Sequence, residues 1–153
     1  PFKNVYYLNG HATDLEEECT RYTSLLSQFP TDIVCLGIGE NGHIAFNDPD
    51  VANFNDHKLV KIVKLDHVCR QQQVNEKCFE TLEQVPTEAL TLTIPALLKA
   101  KWMFCIVPFK NKAQAVYRTI HGDISEKCPA SILRRKEKSS LYLDTESAQL
   151  LNL

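Results

Sequence analysis

Apolar and polar positions alternate in two distinct periods along the chain, and the switches between them mark the elements. "NVYYL" (Asn4 to Leu8) is β-branched and aromatic and ends at the turn pair Asn9-Gly10, which predicts a strand. Thr13-Asp14-Leu15-Glu16 forms a capping-box pattern, after which Leu15, Cys19, Tyr22, Leu25, Leu26 and Phe29 recur at helical spacing up to Pro30, predicting an amphipathic helix. "DIVCLGIG" is an almost continuous apolar run, the pattern of a strand buried on both faces of a parallel sheet. From Gly39 to about Asp56 the chain reads as loop, because Asn47-Asp48-Pro49-Asp50 interrupts any long helix.

Beyond that loop, Lys58 to Leu65 predicts a strand, Asp66 to about Thr81 a helix, and "PTEALTLTIPALLKA" a β-type stretch followed by a short helical run. Trp102 to Phe109 predicts a buried strand, "NKAQAVYRTIHG" a helix closing on Gly122, Ser139 to Asp144 a strand, and "TESAQLL" a terminal helix. Strands alternating with helices throughout imply an α/β fold with a mostly parallel sheet and helices on its faces. The absence of repeats, linkers and low-complexity tracts implies one domain over residues 1–153.

Composition narrows the partners. A chain of 153 residues, 44% hydrophobic and 24% charged, can bury one core. A net charge of −2 without a clustered basic face argues against nucleic acid, and "LRRKEKSS" (Leu133 to Ser140) reads as a solvated turn. No apolar stretch approaches the roughly 18 to 20 residues of a bilayer span, so no membrane is expected. Six scattered cysteines without a C-x-x-C pair speak against a disulfide framework or a zinc site and suggest a soluble protein of the cytoplasm. The chain opens without Met and is almost at once in a strand-like segment, as though it were the later portion of something longer.

The chemistry concentrates in "LGIGENGHIAFNDP". Gly37, Gly39 and Gly42 make a formal G-x-G-x-x-G after a strand, and Asp66 closes the next strand about where a ribose-binding acid would stand, both features of a dinucleotide site. The crossover helix that should carry the pyrophosphate is missing, since Asp48-Pro49 follows Gly42 within a few residues. Otherwise the stretch offers flexible glycines at the carboxyl end of a strand, with Asn41, His43 and Asp48 on one loop. A histidine held by a carboxylate can shuttle protons near neutral pH. Spacing alone leaves this open beside a structural alternative, in which His43 caps a turn and Asp48 begins the bend before Pro49.

The same residues closely resemble the signature of glucosamine-6-phosphate deaminase and its sugar-phosphate isomerase relatives, whose usual form runs Asp-Gly-His-Ile-Ala-Phe-Asn-Glu-Pro. "NVYYLNG", "VPTEALTLTIPALLKAK" and "NKAQAV" resemble further segments of that family, so the likeness covers nearly the whole chain. It implies a Rossmann-like three-layer sandwich of which the N-terminal part is missing here. It also implies aldose–ketose isomerisation of an amino-sugar phosphate, with loss of ammonia in the deaminases, and no metal or redox cofactor.

The resemblance assigns ring opening to His43, flanked by Asn41 and Asp48 where the family carries Asp and Glu. Asn41 brings no charge to stabilise an imidazolium, Asp48 is one methylene shorter, and Glu40 would supply the missing charge only if its side chain turned inward. Lys112 matches the family's phosphate-binding Lys, Arg70 matches its Arg-Gln, and Lys77 aligns with a later phosphate-binding Arg if a short insertion is allowed. Gly39 and Gly42 become the backbone along which a substrate lies. The phosphate loop and the base that moves the C2 proton lie upstream in the family, so this chain alone is expected to be catalytically incomplete, and a homo-oligomer is compatible with the resemblance. Three hypotheses remain: an isomerase or deaminase, with a phosphorylated-sugar lactonase as a sister activity; a sugar-phosphate-binding regulator that has lost the chemistry; and a nucleotide-binding module.

Overall fold

A computed structural model describes residues 1–152. Helix α1 (Leu15–Gln28) is followed by strand β1 (Ile33–Leu36), strand β2 (Val60–Lys64), helix α2 (His67–Asn75), strand β3 (Glu88–Leu92), helix α3 (Ile94–Leu98), strand β4 (Trp102–Val107), helix α4 (Ala113–His121) and strand β5 (Ser139–Leu143). Short 3₁₀ turns occupy Leu82–Gln84, Lys110–Lys112 and Pro129–Arg135. β1, β4 and β5 form a parallel sheet with β4 in the centre, while β2 and β3 pair antiparallel as a separate ribbon, Ile62 opposite Leu90.

Sequence signals account for the element ends. Asp14 accepts from the amides of Glu16 and Glu17 and so caps α1 itself, one residue after the Thr13 that the capping-box pattern suggested. Asp66 caps α2 through Cys69 N, and Thr93 caps α3, which starts with Pro95 in its first turn, where a missing N–H costs nothing. α2 ends at Asn75, short of the expected Thr81, because Lys77 adopts a left-handed φ of 61°.

The core lies on one face of the parallel sheet. Met103, Cys105 and Val107 point inward from β4 and meet Ile94 and Leu97 of α3, Ala115 and Val116 of α4, Ile132 and Leu133 of the last 3₁₀ turn, and Ile44 from the glycine loop. Burial of a side chain such as Ile44, Ile94 or Met103 contributes about 1.5–3 kcal/mol each. The opposite face carries Ile33, Trp102, Ile106 and Tyr142, all exposed, with Ile33 at 55%.

β1 is therefore not buried on both sides as its apolar run suggested, while the parallel three-stranded sheet with helices packed on it is the α/β architecture expected. Helix α1 packs on β2. Asn4–Leu8 is not a strand: the Tyr6 and Tyr7 carbonyls accept from Tyr22 and Arg21 of α1, and Tyr6 stacks on Phe29 at 5.6 Å between ring centroids. The terminal "TESAQLL" makes turns rather than a helix, fastened by Ser147, whose amide donates to Asp144. No helix among the described residues is long and apolar enough to cross a membrane.

Candidate functional site

The carboxyl ends of all three parallel strands converge on one place, as open α/β sheets require of a ligand site. β1 runs into the glycine loop, β4 into Pro108, Phe109 and the turn holding Lys112, and β5 into Asp144. Asp144 accepts from the amide of Phe109 at 2.9 Å and holds that residue at a φ of 80°, a left-handed conformation that costs a non-glycine residue about 1–3 kcal/mol. The amides of Phe109 and Ser147 hold the Asp144 carboxyl below the usual carboxylate range.

The glycine loop folds back on itself. Gly39 N donates to the His43 carbonyl and Gly42 N to the Gly39 carbonyl, each at 2.9 Å, and Gly42 sits at a φ of 93°. A Cβ on Gly42 would lie 2.8 Å from Cys128 Sγ, and one on Gly39 would collide with the His43 imidazole. Both glycines are thus needed for close approach, Gly39 to the histidine ring and Gly42 to the chain at Cys128. Beyond the loop, Asn47 is fully buried and donates to the carbonyls of Ile44 and Leu92, fixing the bend that delivers Asp48.

His43, Asn41 and Asp48 come together as the spacing suggested. His43 Nδ1 lies 2.8 Å from Asn41 Oδ1 and 2.8 Å from Asp48 Oδ1, and both oxygens are acceptors, so Nδ1 carries the proton and Nε2 keeps the lone pair. The Asn41 amide is oriented by its neighbours: His43 N donates to Oδ1, and Nδ2 donates to Asp48 at 2.9 Å and to Asp66 at 2.7 Å. Burial works to raise the Asp48 pKa, but hydrogen bonds from His43 and Asn41, the histidine's charge and the Asp66 amide outweigh it, and the carboxyl ends below its ordinary value.

His43, Asp48 and Cys69 also form a group whose donor atoms lie within 4.8 Å of one another, a combination that could be considered for a metal ion. The geometry fits hydrogen bonding better: two donors around tetrahedral zinc stand about 3.3 Å apart, whereas His43 Nδ1 and Asp48 Oδ1 are at 2.8 Å. Burial, reinforced by the charges of Asp48 and Asp66, pushes the Cys69 thiol up to about 12, so it stays protonated against the carboxylate.

An open cavity of about 390 Å³ lies above this group, lined by Gly39, His43, Gln72, Glu76, Phe109 and Lys112. Lys112 is only 6% exposed, and its Nζ lies 3.3 Å from Glu76 Oε1, the one acidic oxygen paired with it among the described residues. Gln72 Nε2 donates to the same Glu76 oxygen, and Gln72 Oε1 accepts from the Glu40 amide. Lys112, Gly39 and His43 are thus brought together.

Arg70 and Lys77 are not among the cavity's lining residues. Arg70 donates to the carbonyls of Leu82 and Val85, fastening the chain after α2, and Lys77 is exposed beyond the end of that helix. Glu40 does not turn toward His43 either, since its carboxylate accepts from Asn111 at 2.7 Å. Sequence reasoning overlooked Gln72 and Glu76, although Cys69, Gln72 and Glu76 recur at helical spacing on one face of a polar helix.

Residues 1–142 match the family described as glucosamine-6-phosphate isomerases and 6-phosphogluconolactonase. The chain is 44% identical over 150 residues to a glucosamine-6-phosphate deaminase of Bacillus cereus, and 43% identical to one of Bacillus cytotoxicus; each alignment covers 98% of this chain and 55% of the relative. It therefore spans about half the length of these curated relatives. Among solved structures, a monomeric glucosamine-6-phosphate deaminase is 39% identical with a TM-score of 0.87, covering 95% of this chain and 58% of that one. A 6-phosphogluconolactonase of Trypanosoma cruzi, at 18% identity and a TM-score of 0.65 over 90% of this chain and 52% of the other, shares the fold. With the signature loop, the parallel sheet and these relatives in agreement, the chain belongs to the glucosamine-6-phosphate isomerase and 6-phosphogluconolactonase family.

Proposed function

We propose that this chain carries part of the active site of an enzyme that converts an amino-sugar phosphate, glucosamine-6-phosphate or galactosamine-6-phosphate, to a ketose phosphate and ammonia. The observation that carries this is the placement of a buried histidine, held through Nδ1, on the wall of the same cavity as a buried lysine. With its lone pair on Nε2, His43 takes the proton of the anomeric hydroxyl and returns it to the ring oxygen, which opens the pyranose. Asp48 and Asn41 orient the imidazole, and Asp48 stabilises the positive charge that passes through it. Lys112, beside the first amides of α4, supplies a cation and a helix N-terminus for the phosphate. Gly39 leaves the ring of His43 unobstructed, and Gly42 keeps the loop closed beneath it.

The same proposal includes a single domain over residues 1–153, reaction without a metal or redox cofactor, and a cytoplasmic setting, the last supported by six free cysteines. For assembly, the 39% identical solved relative is described as monomeric, which favours a monomer over the homo-oligomer considered from sequence.

The test is ammonia and fructose-6-phosphate release from glucosamine-6-phosphate by the full-length gene product, repeated with galactosamine-6-phosphate. Turnover that falls more for the pyranose than for an open-chain analogue in His43→Gln supports ring opening. Tight binding of both sugars without turnover by a folded protein would replace the enzyme by a binding protein. Thermal stabilisation by NAD or NADP would favour the nucleotide-binding module.

A further inference from the structure

The imidazole network does not end at Asn41. Asp66 closes β2 and opens α2, and its carboxylate has two partners: Oδ1 accepts from Cys69 N at 2.6 Å, and Oδ2 accepts from Asn41 Nδ2 at 2.7 Å. Its own amide donates to Asp48 Oδ2 at 3.2 Å. One residue therefore grips both side chains that hold His43, Asn41 through its carboxylate and Asp48 through its backbone. Glu40, the acid next to Asn41 in sequence, is turned to Asn111.

An amide with a carboxylate on its nitrogen side and an imidazole N–H on its oxygen side is polarised in one direction, its oxygen becoming more negative as the carboxylate draws on the N–H. We infer that Asp66 is a positioning residue for His43: it acts through the Asn41 amide, so that a neutral residue beside the histidine delivers the influence of a carboxylate one side chain further away. This rests on the ring-opening role proposed for His43. The negative charge that Asn41 does not carry is present in the network, displaced from the loop to the N-terminus of α2, where the helix dipole and the Cys69 amide also favour it. The arrangement also constrains position 41. An acid there would face Asp66 and Asp48 at the separations now bridged by an N–H, and neighbouring carboxylates at hydrogen-bond distance cannot all ionise.

The test is a double-mutant cycle in the full-length protein. Asp66→Asn and Asp66→Ser both retain a side chain that caps α2, but neither offers a carboxylate oxygen to Asn41. Each is expected to lower kcat about tenfold, the equivalent of one charge-assisted hydrogen bond, with KM within about twofold because Asp66 does not line the cavity. A kcat equal to that of the parent in either variant would mean that Asp66 only caps the helix, and would overturn the inference.

Asn41→Asp supplies the second leg. It is expected to lower kcat and melting temperature more in the Asp66 background than in the Asp66→Asn background, where the amide introduced at position 66 can donate to the new carboxylate; strictly additive effects would break the proposed link. The unfavourable approach of position 41 to Asp48 is common to both backgrounds and cancels in the comparison. If the parent protein turns over neither sugar phosphate, the functional proposal is the one that fails, and the cycle still decides the Asn41–Asp66 link through melting temperature.

Discussion

Replacing Gly39 by Ala adds one methyl group at the point where the glycine loop and the catalytic candidate are closest. The new Cβ would overlap Cε1, Nε2 and Nδ1 of His43 at once, so the ring must retreat rather than rotate about one contact. Restoring an ordinary carbon–carbon separation of about 3.5 Å requires a movement on the order of 1 Å. His43 is 7% exposed, and its Nδ1 is fixed by two oxygens at 2.8 Å, so that movement stretches both bonds toward lengths at which they no longer count. The hydrogen bonds contribute about 1–3 kcal/mol, which in a chain of this size corresponds to a fall of several degrees in melting temperature. A displacement of about 1 Å at a reacting group costs roughly a hundredfold in rate. Gly39→Ala should therefore cut kcat/KM for glucosamine-6-phosphate by about two orders of magnitude in the full-length protein, while calorimetry shows a fold that melts a few degrees lower. Parent-like turnover would refute the reasoning, because it would mean that the ring is free to move or that its position does not matter to the reaction.

Lys112→Ala should raise KM for the phosphorylated substrate by roughly 10- to 100-fold, as expected for the loss of one charge-assisted contact, and should abolish stabilisation by inorganic phosphate in a thermal-shift assay. Glu76→Gln removes the carboxylate 3.3 Å from the lysine and should strengthen phosphate binding severalfold; weaker binding would mean that Glu76 orients Lys112 rather than competing with the anion. The Asp48 carboxyl lies below its ordinary value of 3.8, so its contribution to stability is present above about pH 4 and is lost as the pH falls through the lower, folded-state value. Asp48→Asn should accordingly flatten the acid limb of a plot of melting temperature against pH between about 2 and 5, and an unchanged limb would contradict the network. With iodoacetamide at about pH 8, mass spectrometry should find Cys35 and Cys78 modified in the native protein and Cys69 and Cys105 protected, because the latter two are buried with thiols pushed up to about 12.

Local chemistry made much of the fold legible. The stop at Pro30, the caps at Asp14 and Asp66, and Gly122 closing α4 all act within one turn of the chain, so their signals survive in sequence. What misled was information that resides in the partner of an element. The run at Ile33–Leu36 has the composition of a doubly buried strand, yet half of it faces outward among the described residues, because burial depends on whether another element arrives there. Asn4–Leu8 has strand composition and no strand to pair with among the described residues, its carbonyls being taken by side chains of α1. Composition alone cannot distinguish these outcomes, since pairing is a property of two segments.

The site divides in the same way. Asn41, His43 and Asp48 are legible together because they share a loop of eight residues, whereas Lys112 is singled out by the resemblance to the family's phosphate-binding Lys. Arg70 and Lys77 are named by the same resemblance, and in the structure Arg70 reaches the carbonyls of Leu82 and Val85 while Lys77 falls beyond the end of α2. The residues that join the two halves of the cavity lie instead on the α2 face nearest the loop. Asp66 meets Asn41, Cys69 lies beside Asp48, Gln72 meets the amide of Glu40, and Glu76 meets Lys112. That single helix face runs from the His43 network at one end to Lys112 at the other. A change at Asp66 or Gln72 is therefore transmitted to loop residues 25 and 32 positions away in sequence, and variants along this face should couple to His43 more strongly than substitutions at the adjacent but outward-facing Gln71.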